Sequence, residues 1–279
     1  MAQKGEVVRL AAVADIHYSR TSQGALQPLF AQIANSADVL ALCGDLTDYG
    51  LAEEARGLVK ELAATVKIPT LAVLGNHDYE SGQADDLKEI FTDAGLMVLD
   101  GDSREVLGVG FAGIKGFAGG FGRGALGPWG EPAIKAFVHE AIDEALKLET
   151  ALARLRSSQR IALLHYAPIR ETVEGEPPEI YPYLGSSRLA EPLARYSVTA
   201  VFHGHAHKGC ATGKTETGIP VYNVSLPMLR NTFPDRPPFR LLEITVEEGE
   251  EEESAPVGGS AERIEASSPE WTRRATDRG

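Results

Sequence analysis

An α/β fold with parallel βαβ units is what this chain of 279 residues predicts, on three observations. Short apolar, β-branched-rich runs recur through the first two hundred residues, helical patterns lie between them, and most runs stop directly at a block of His, Asp, Asn or Gly. Continuous apolar runs of this kind read as strands buried on both faces. Alternation with helices sets such strands side by side in parallel, with their carboxyl ends along one edge where ligand sites gather.

Residues 7–13 form the first run and lead into Asp15-Ile16-His17. Residues 39–43 lead into Gly44-Asp45-Leu46-Thr47-Asp48, and a helical pattern follows over 51–64. Residues 70–74 lead into Gly75-Asn76-His77-Asp78, with a helix over 83–94 behind them. A long helix is expected over 132–156, because Ile134, Phe137, Val138, Ala141, Ile142, Ala145, Leu148, Leu152 and Leu155 recur at the spacing of one buried face. His139 lies off that stripe among acidic neighbours and reads as a surface residue. Residues 161–164 end at His165, a helix is expected over 187–196, and residues 198–202 lead less cleanly into His203-Gly204-His205-Ala206-His207. Strand candidates at 221–224 and 239–245 complete a second sheet or an edge.

Length alone admits one large domain or two small ones, and the unbroken alternation favours one, over residues 1–246. Composition changes abruptly at 247. Residues 247–253 are six Glu and one Gly, and the stretch beyond holds few large apolar side chains. Such a segment buries too little apolar surface to offset its ordering entropy, so 247–279 reads as an acidic, disordered tail. It holds ten acidic and four basic residues, and so carries −6 of the net charge of −13. Two cysteines, Cys43 and Cys210, supply neither a disulfide framework nor a CxxC zinc pattern. No secretory leader precedes the first block and no apolar stretch is long enough to span a bilayer, so a cytoplasmic protein is expected. No basic stripe argues for nucleic acid, and the acidic balance argues against it. Oligomeric state is not readable, and a homo-oligomer stays open.

Six of the seven histidines fall in the blocks. Imidazole and carboxylate are the ligands that Zn, Mn and Fe prefer. Asp15-x-His17 and His205-x-His207 each place two candidate ligands on one side of an extended strand end, since side chains repeat every two residues. Two metals close together form a recurring device for displacement at phosphorus, and Gly44-Asp45 suits their bridging carboxylate because glycine allows a sharp turn and close approach.

The order D-x-H, G-D-x-x-D, G-N-H-D, H, G-H-x-H, carried by Asp15/His17, Asp45/Asp48, Asn76/His77/Asp78, His165 and His205/His207, resembles the calcineurin-like metallophosphoesterase superfamily over residues 7 to about 225. In motif pattern it is most similar to the bacterial cyclic-nucleotide phosphodiesterase and glycerophosphodiesterase branch. The resemblance implies a four-layer α/β/β/α fold, a two-sheet β-sandwich flanked by helices. It implies two divalent ions (Mn, Fe or Zn), one held by Asp15, His17, Asp45 and His207, the other by Asp45, Asn76, His165 and His205. Asp45 would bridge them, and a hydroxide between the ions would attack a small phosphodiester. His77 would face the substrate, Asp78 would orient His77 through its other ring nitrogen, and Asp48 would lie just outside the ligands. Asp48 also has a plain reading as a turn or capping residue, and His203, outside the motif, is as readily structural as functional.

Two segments depart from a bare core. Residues 113–130 are glycine-rich, with Phe117, Phe121 and Trp129, and read either as a mobile rim or as an Ω-loop. Residues 170–185 follow His165 directly and should lie near the site. The competing readings are a phosphomonoesterase or protein phosphatase-like enzyme, a nuclease, and a non-catalytic metal-binding module. A monoesterase would want a basic pocket, and only Arg20, Arg123, Arg170, Arg188 and Lys208 lie near the blocks.

Overall fold

The structure, a computed structural model, describes residues 5–246; the acidic segment from 247 lies outside the described residues. β1 (Glu6–Val13), β2 (Val39–Cys43), β3 (Thr70–Val73) and a short β4 (Met97–Val98) run parallel, connected through α1 (Gln27–Ser36), α2 (Ala52–Thr65) and α3 (Ala84–Asp93). A hairpin follows, β5 (Asp102–Val106) and β6 (Val109–Gly113), and it turns at Leu107-Gly108 with both residues at positive φ, as a two-residue hairpin turn requires. Then come α4 (Pro132–Ala153), β7 (Gln159–Leu163), α5 (Tyr181–Leu184), α6 (Ala190–Arg195) and β8 (Ala200–His203). β9 (Thr212–Lys214), β10 (Pro220–Asn223), α7 (Leu226–Thr232) and β11 (Arg240–Val246) complete the described chain.

The strands make two sheets, in the orders β11-β1-β2-β3-β4 and β5-β6-β7-β8-β10-β9. β11 is antiparallel to β1, and β5 and β9 are antiparallel edges on an otherwise parallel second sheet. The period of two along β1 builds the layers. Leu10, Ala12 and Ala14 face the second sheet and pack with Val39, Cys43, Val73, Phe111, Ile161, Leu163 and Phe202. Ala11 and Val13 face the other way, against Phe30, Ile33, Leu58, Leu87 and Phe91 of the first three helices. On the far side Ala112, Ala162, Leu164 and Val201 pack against Leu148, Ala151 and Leu152 of α4. Burying a side chain such as Phe111 or Phe202 contributes about 1.5–3 kcal/mol relative to leaving it exposed. Helix, sheet, sheet and helix are therefore the four expected layers. Where β1 and β10 end, Ala14 N–H donates to the Val224 carbonyl and Leu226 N–H to the Ala14 carbonyl, both at 2.9 Å, so the sheets are stitched along that edge.

Two local expectations change, and one hairpin was not expected. The helix read over 187–196 splits into a single 3-10 turn and the six residues of α6, with Pro192 inside. The stripe of α4 begins later than expected: Ile134 is 43 % exposed, while Glu144, at 1 %, joins the buried face and accepts the Gly116 N–H at 2.7 Å. The hairpin over 102–113 had no sequence signal, because β5 reads Asp-Ser-Arg-Glu-Val, an edge strand without alternation.

Candidate metal centre

Five strands deliver the blocks to one edge. Asp15 and His17 follow β1, Asp45 follows β2, Asn76 and His77 follow β3, His165 follows β7, and His205 and His207 follow β8. The loops continue the ladder: Asp15 N–H donates to Gly44 O at 3.0 Å, His17 N–H to Asp45 O at 3.0 Å, and Tyr18 N–H to Leu46 O at 2.9 Å. Asp15, His17, Asp45 and His205 have φ of 56°, 47°, 47° and 70°, four of the six non-glycine residues with positive φ among the described residues. Such backbone costs about 1–3 kcal/mol each and persists where surrounding structure over-determines it, as at functional sites. The glycines of the blocks are the space into which neighbouring blocks pack. A Cβ on Gly44 would strike the His165 imidazole, one on Gly75 the Asp45 carboxylate, and one on Gly204 the Asp15 carboxylate.

Three groups have donor atoms all within 4.8 Å of one another: Asp15, His17 and His207; His17, Asp45 and His77; Asp45, His165 and His205. Asp45 joins the last two. Its Oδ1 lies 3.3 Å from His165 Nε2 and accepts the His77 backbone N–H at 2.9 Å, and its Oδ2 lies 3.8 Å from His17 Nε2. His165 is fully buried. Its Nδ1 donates to the Cys43 carbonyl at 3.1 Å, which leaves Nε2 as a lone-pair donor 2.9 Å from Asn76 Oδ1. An imidazole nitrogen, an amide oxygen and a carboxylate oxygen thus converge on one point, an arrangement a divalent cation satisfies. His205 Nε2 meets the Tyr183 carbonyl at 3.1 Å, so its Nδ1 is the atom left for a metal. Such carbonyl partners fix a ligand's tautomer and orientation. Asp15 accepts the His205 backbone N–H at 2.9 and 3.1 Å and lies 3.0 Å from His207 Nε2. His17 is the clearest sign that the donor set suits an ion, because both its ring nitrogens are shielded from solvent and neither has a hydrogen-bond partner.

Electrostatics follow this packing. Burial acts to raise the Asp45 pKa, but the charges of His165, His77 and His17 outweigh it and hold it well below the usual carboxylate range. Burial likewise acts to lower His165, and without a cation Asp45 outweighs it, raising the ring to about 9; a cation at Nε2 would take the place of that proton. Burial, with His165 beside it, takes His205 down to about 4.

The role expected for Asp78 is not the one found. Its buried carboxylate accepts Gly75 N–H at 2.8 Å, Thr47 N–H at 2.8 Å and the Thr47 hydroxyl at 2.6 Å, so it ties the β2 and β3 loops together and does not touch the His77 ring. His77 Nδ1 donates instead to the backbone carbonyl of Asp48 at 2.7 Å. The Asp48 side chain sits 3.4 Å from His17 Nδ1, which puts it beside a candidate ligand. His203 is structural: Nδ1 bonds the Gly204 carbonyl and Nε2 the Thr172 hydroxyl, both at 2.8 Å, and burial lowers its pKa to about 4. His139 is on the surface, as expected.

The motif order and this geometry agree with a direct comparison: the family model described as calcineurin-like phosphoesterase matches residues 8–209. The chain belongs to the calcineurin-like phosphoesterase family. No curated protein matches it. Among solved structures this phosphoesterase-family chain is similar to phosphopantetheinyl hydrolase from Mycobacterium tuberculosis, at TM-score 0.61 and 16 % identity over 84 % of this chain and 95 % of that one. It is also similar to the TT1561 protein of Thermus thermophilus, at TM-score 0.52 and 14 % identity over 87 % and 100 %. At such identities these likenesses show the fold.

Around this phosphoesterase centre the two extra segments pack on each other. Gly119 N–H donates to the Pro182 carbonyl at 2.7 Å and Gly120 N–H to the Gly185 carbonyl at 2.8 Å, so the glycine-rich segment is pinned to 182–186 along part of its length. Tyr183 brings the second segment onto His205, as its position after His165 suggested. A cavity of about 850 Å³ lies beside them, lined by Phe121, Arg170, Tyr181 and Lys214 among others and by none of the candidate ligands. Sequence reasoning missed Asn223, whose amide donates to the Ala206 carbonyl at 2.7 Å and holds the His205–His207 turn. No described helix is long and apolar enough to cross a membrane.

Proposed function

We propose that this chain is a dinuclear metal-dependent phosphoesterase of small phosphodiesters, and that residues 1–246 carry the activity. The observation that supports it most is the placement of Asp45, whose two carboxylate oxygens face opposite clusters, Oδ1 towards His165 and Oδ2 towards His17. One ion would be held by Asp15, His17, Asp45 and His207, the other by Asp45, Asn76, His165 and His205. Two ions of the Mn, Fe or Zn type, when bound, would supply charge stabilisation at the phosphoryl group and activation of the attacking water. The remaining work falls to the chain's own residues. His77, anchored through Nδ1 on the Asp48 carbonyl, presents Nε2 to protonate the leaving oxygen or hold a phosphoryl oxygen. Asp78 keeps His77 in place indirectly, by fixing the two loops that carry Asp45 and His77.

A diester carries one negative charge and a monoester up to two. Near this edge Arg20 is paired with Glu53, and Arg170 lies 3.6 Å from Glu174. With these two cations engaged, the monoanion is favoured. Two free cysteines, Cys43 buried and Cys210 exposed, suit a reducing compartment such as the cytoplasm. The test is turnover by Mn-, Fe- and Zn-loaded protein on cyclic nucleotides, glycerophosphodiesters, a phosphopantetheinyl diester and matched monoesters, with metal analysis alongside. The expected result is two ions per chain and higher kcat/KM on a diester, kept by a form ending at Val246. A preference for monoesters would move the reading to a phosphomonoesterase; activity intact with one ion would overturn the dinuclear assignment.

A further inference from the structure

Lys115 stands just past the carboxyl end of β6, beside the His165 block: its carbonyl accepts the N–H groups of His165 at 3.0 Å and Tyr166 at 3.1 Å. Its side chain is half-buried in an aromatic cage. The ammonium lies 4.9 Å from the ring centroid of Phe117, 5.3 Å from that of Tyr166 and 5.6 Å from that of Tyr79. It makes one hydrogen bond, to the Gly116 carbonyl at 2.7 Å, and among the described residues no carboxylate oxygen lies within 4.0 Å of it. The other half-buried lysine among the described residues, Lys88, pairs with Asp100 at 2.7 Å. An ammonium has three N–H donors, and aromatic faces attract its charge without offering an oxygen. Lys115 is therefore held in place with donors to spare.

The wall of this cage is shared with the candidate metal centre. The Tyr166 ring lies 4.5 Å from the His205 ring and 5.5 Å from the His165 ring, and Tyr79 is two residues beyond His77. Lys115 is thus one aromatic ring away from the second ligand cluster. That distance suits a part of the substrate other than the phosphoryl group being attacked. A cation already immobilised by packing loses little side-chain freedom on engaging a ligand, and a charge-assisted bond to phosphate or carboxylate is among the stronger polar contacts.

We infer that Lys115 is a specificity-determining residue that binds a second anionic group, a phosphate or a carboxylate, carried by the substrate away from the scissile phosphoryl group. The inference rests on the phosphoesterase reading for where that phosphoryl group sits. It can be tested without turnover, by calorimetric titration of the Mn-loaded full-length protein with non-hydrolysable phosphonates. The ligands are alkane bisphosphonates of graded length, the same chains ending in a carboxylate, and plain alkyl monophosphonates. The best two-ended ligand should bind wild-type protein at least about tenfold tighter than its one-ended counterpart, and the two end groups distinguish phosphate from carboxylate. Lys115→Met should remove the advantage and Lys115→Arg should keep most of it, with Lys115→Gln as the alternative where Met is not accepted by the fold. A wild-type advantage below about twofold overturns the inference, because the lysine then reads nothing. Equal weakening of both ligand classes by Lys115→Met also overturns it, because the role is then packing. If no phosphoester in the panel is hydrolysed but the Lys115-dependent advantage stands, the activity reading fails and this one holds.

Discussion

The two candidate ligand clusters that share Asp45 are built differently. On one side His165 is fully buried and Asp45 nearly so, and the rings of His165 and His205 are oriented by the carbonyls of Cys43 and Tyr183. On the other side His17 and His207 keep side-chain exposures of 20 % and 39 %, and neither ring nitrogen of His17 has a hydrogen-bond partner. The protein itself orients the donors of the buried cluster. In the open cluster an arriving ion would supply what His17 lacks. One half of a candidate metal centre can thus be pre-organised by backbone carbonyls while the other half would be completed by the ion itself.

The largest test of this contrast is at the residue common to both sides. Asp45→Ala should lower kcat/KM by more than the roughly 10–100-fold that a partner outside the ligand shell is worth, and metal analysis should show loss at both positions. Retention of one full-occupancy ion would mean that Asp45 serves only one cluster. Next comes His77, on the open side, whose His77→Ala variant should lose about 10²–10⁴-fold on a ribose or glycerol leaving group. A nitrophenolate leaves without a proton, so the loss there should be much smaller. Equal losses in kcat on both substrates, with chemistry rate-limiting, would leave His77 only a phosphoryl-oxygen stabiliser.

A smaller effect is expected on stability. In chelator, where no metal contributes, His165→Ala should cost about 2–3 kcal/mol in denaturant unfolding and His17→Ala under about 1 kcal/mol. Equal costs would erase the difference in pre-organisation. The smallest effect is a pH dependence at His203, the buried neutral imidazole behind the His205–His207 turn. Its folded pKa of about 4 lies below the unfolded value near 6.5, so the unfolded state takes up the proton first. Stability supplied by the neutral ring is present above about pH 6.5 and is lost as pH falls towards 4. The stability difference between wild type and His203→Asn should shrink by about 2 kcal/mol from pH 7 to pH 4.5. A pH-independent difference would show that the ring is not held neutral.

What was legible in the sequence divides along physical lines. The strands that end in blocks, at Val13, Cys43, Val73, Leu163 and His203, were readable because both their faces are buried and the apolar run is continuous. β4 has two residues and β5 is polar, so neither carries a pattern. Which side chains gather at the edge followed from strand order and motif. What orients them did not, because the partners of His165, His205 and His77 are backbone carbonyls of Cys43, Tyr183 and Asp48, and every residue type offers a carbonyl. The Asp78 expectation failed for the same reason: a carboxylate one residue from a histidine is more easily satisfied by the nearby N–H groups of Gly75 and Thr47 than by the ring.

The pairing of β1 with β11 sets a timetable for the molecule. Asp15 meets His207 across 192 positions of chain, and Glu6 pairs with Val246 at the far end of the described fold. Contacts of such sequence separation form late, because loop closure must be achieved before they reward it. A nascent chain therefore exposes Asp15, His17 and Asp45 long before β7 and β8 emerge. During synthesis it presents only half of the candidate donors, and the second half arrives with β7 and β8 of the second sheet, before β11 completes the first. Assembly of the candidate metal centre is thereby tied to the completion of folding, so a chain stalled before residue 203 holds Asp45 but not the histidine pair that follows β8.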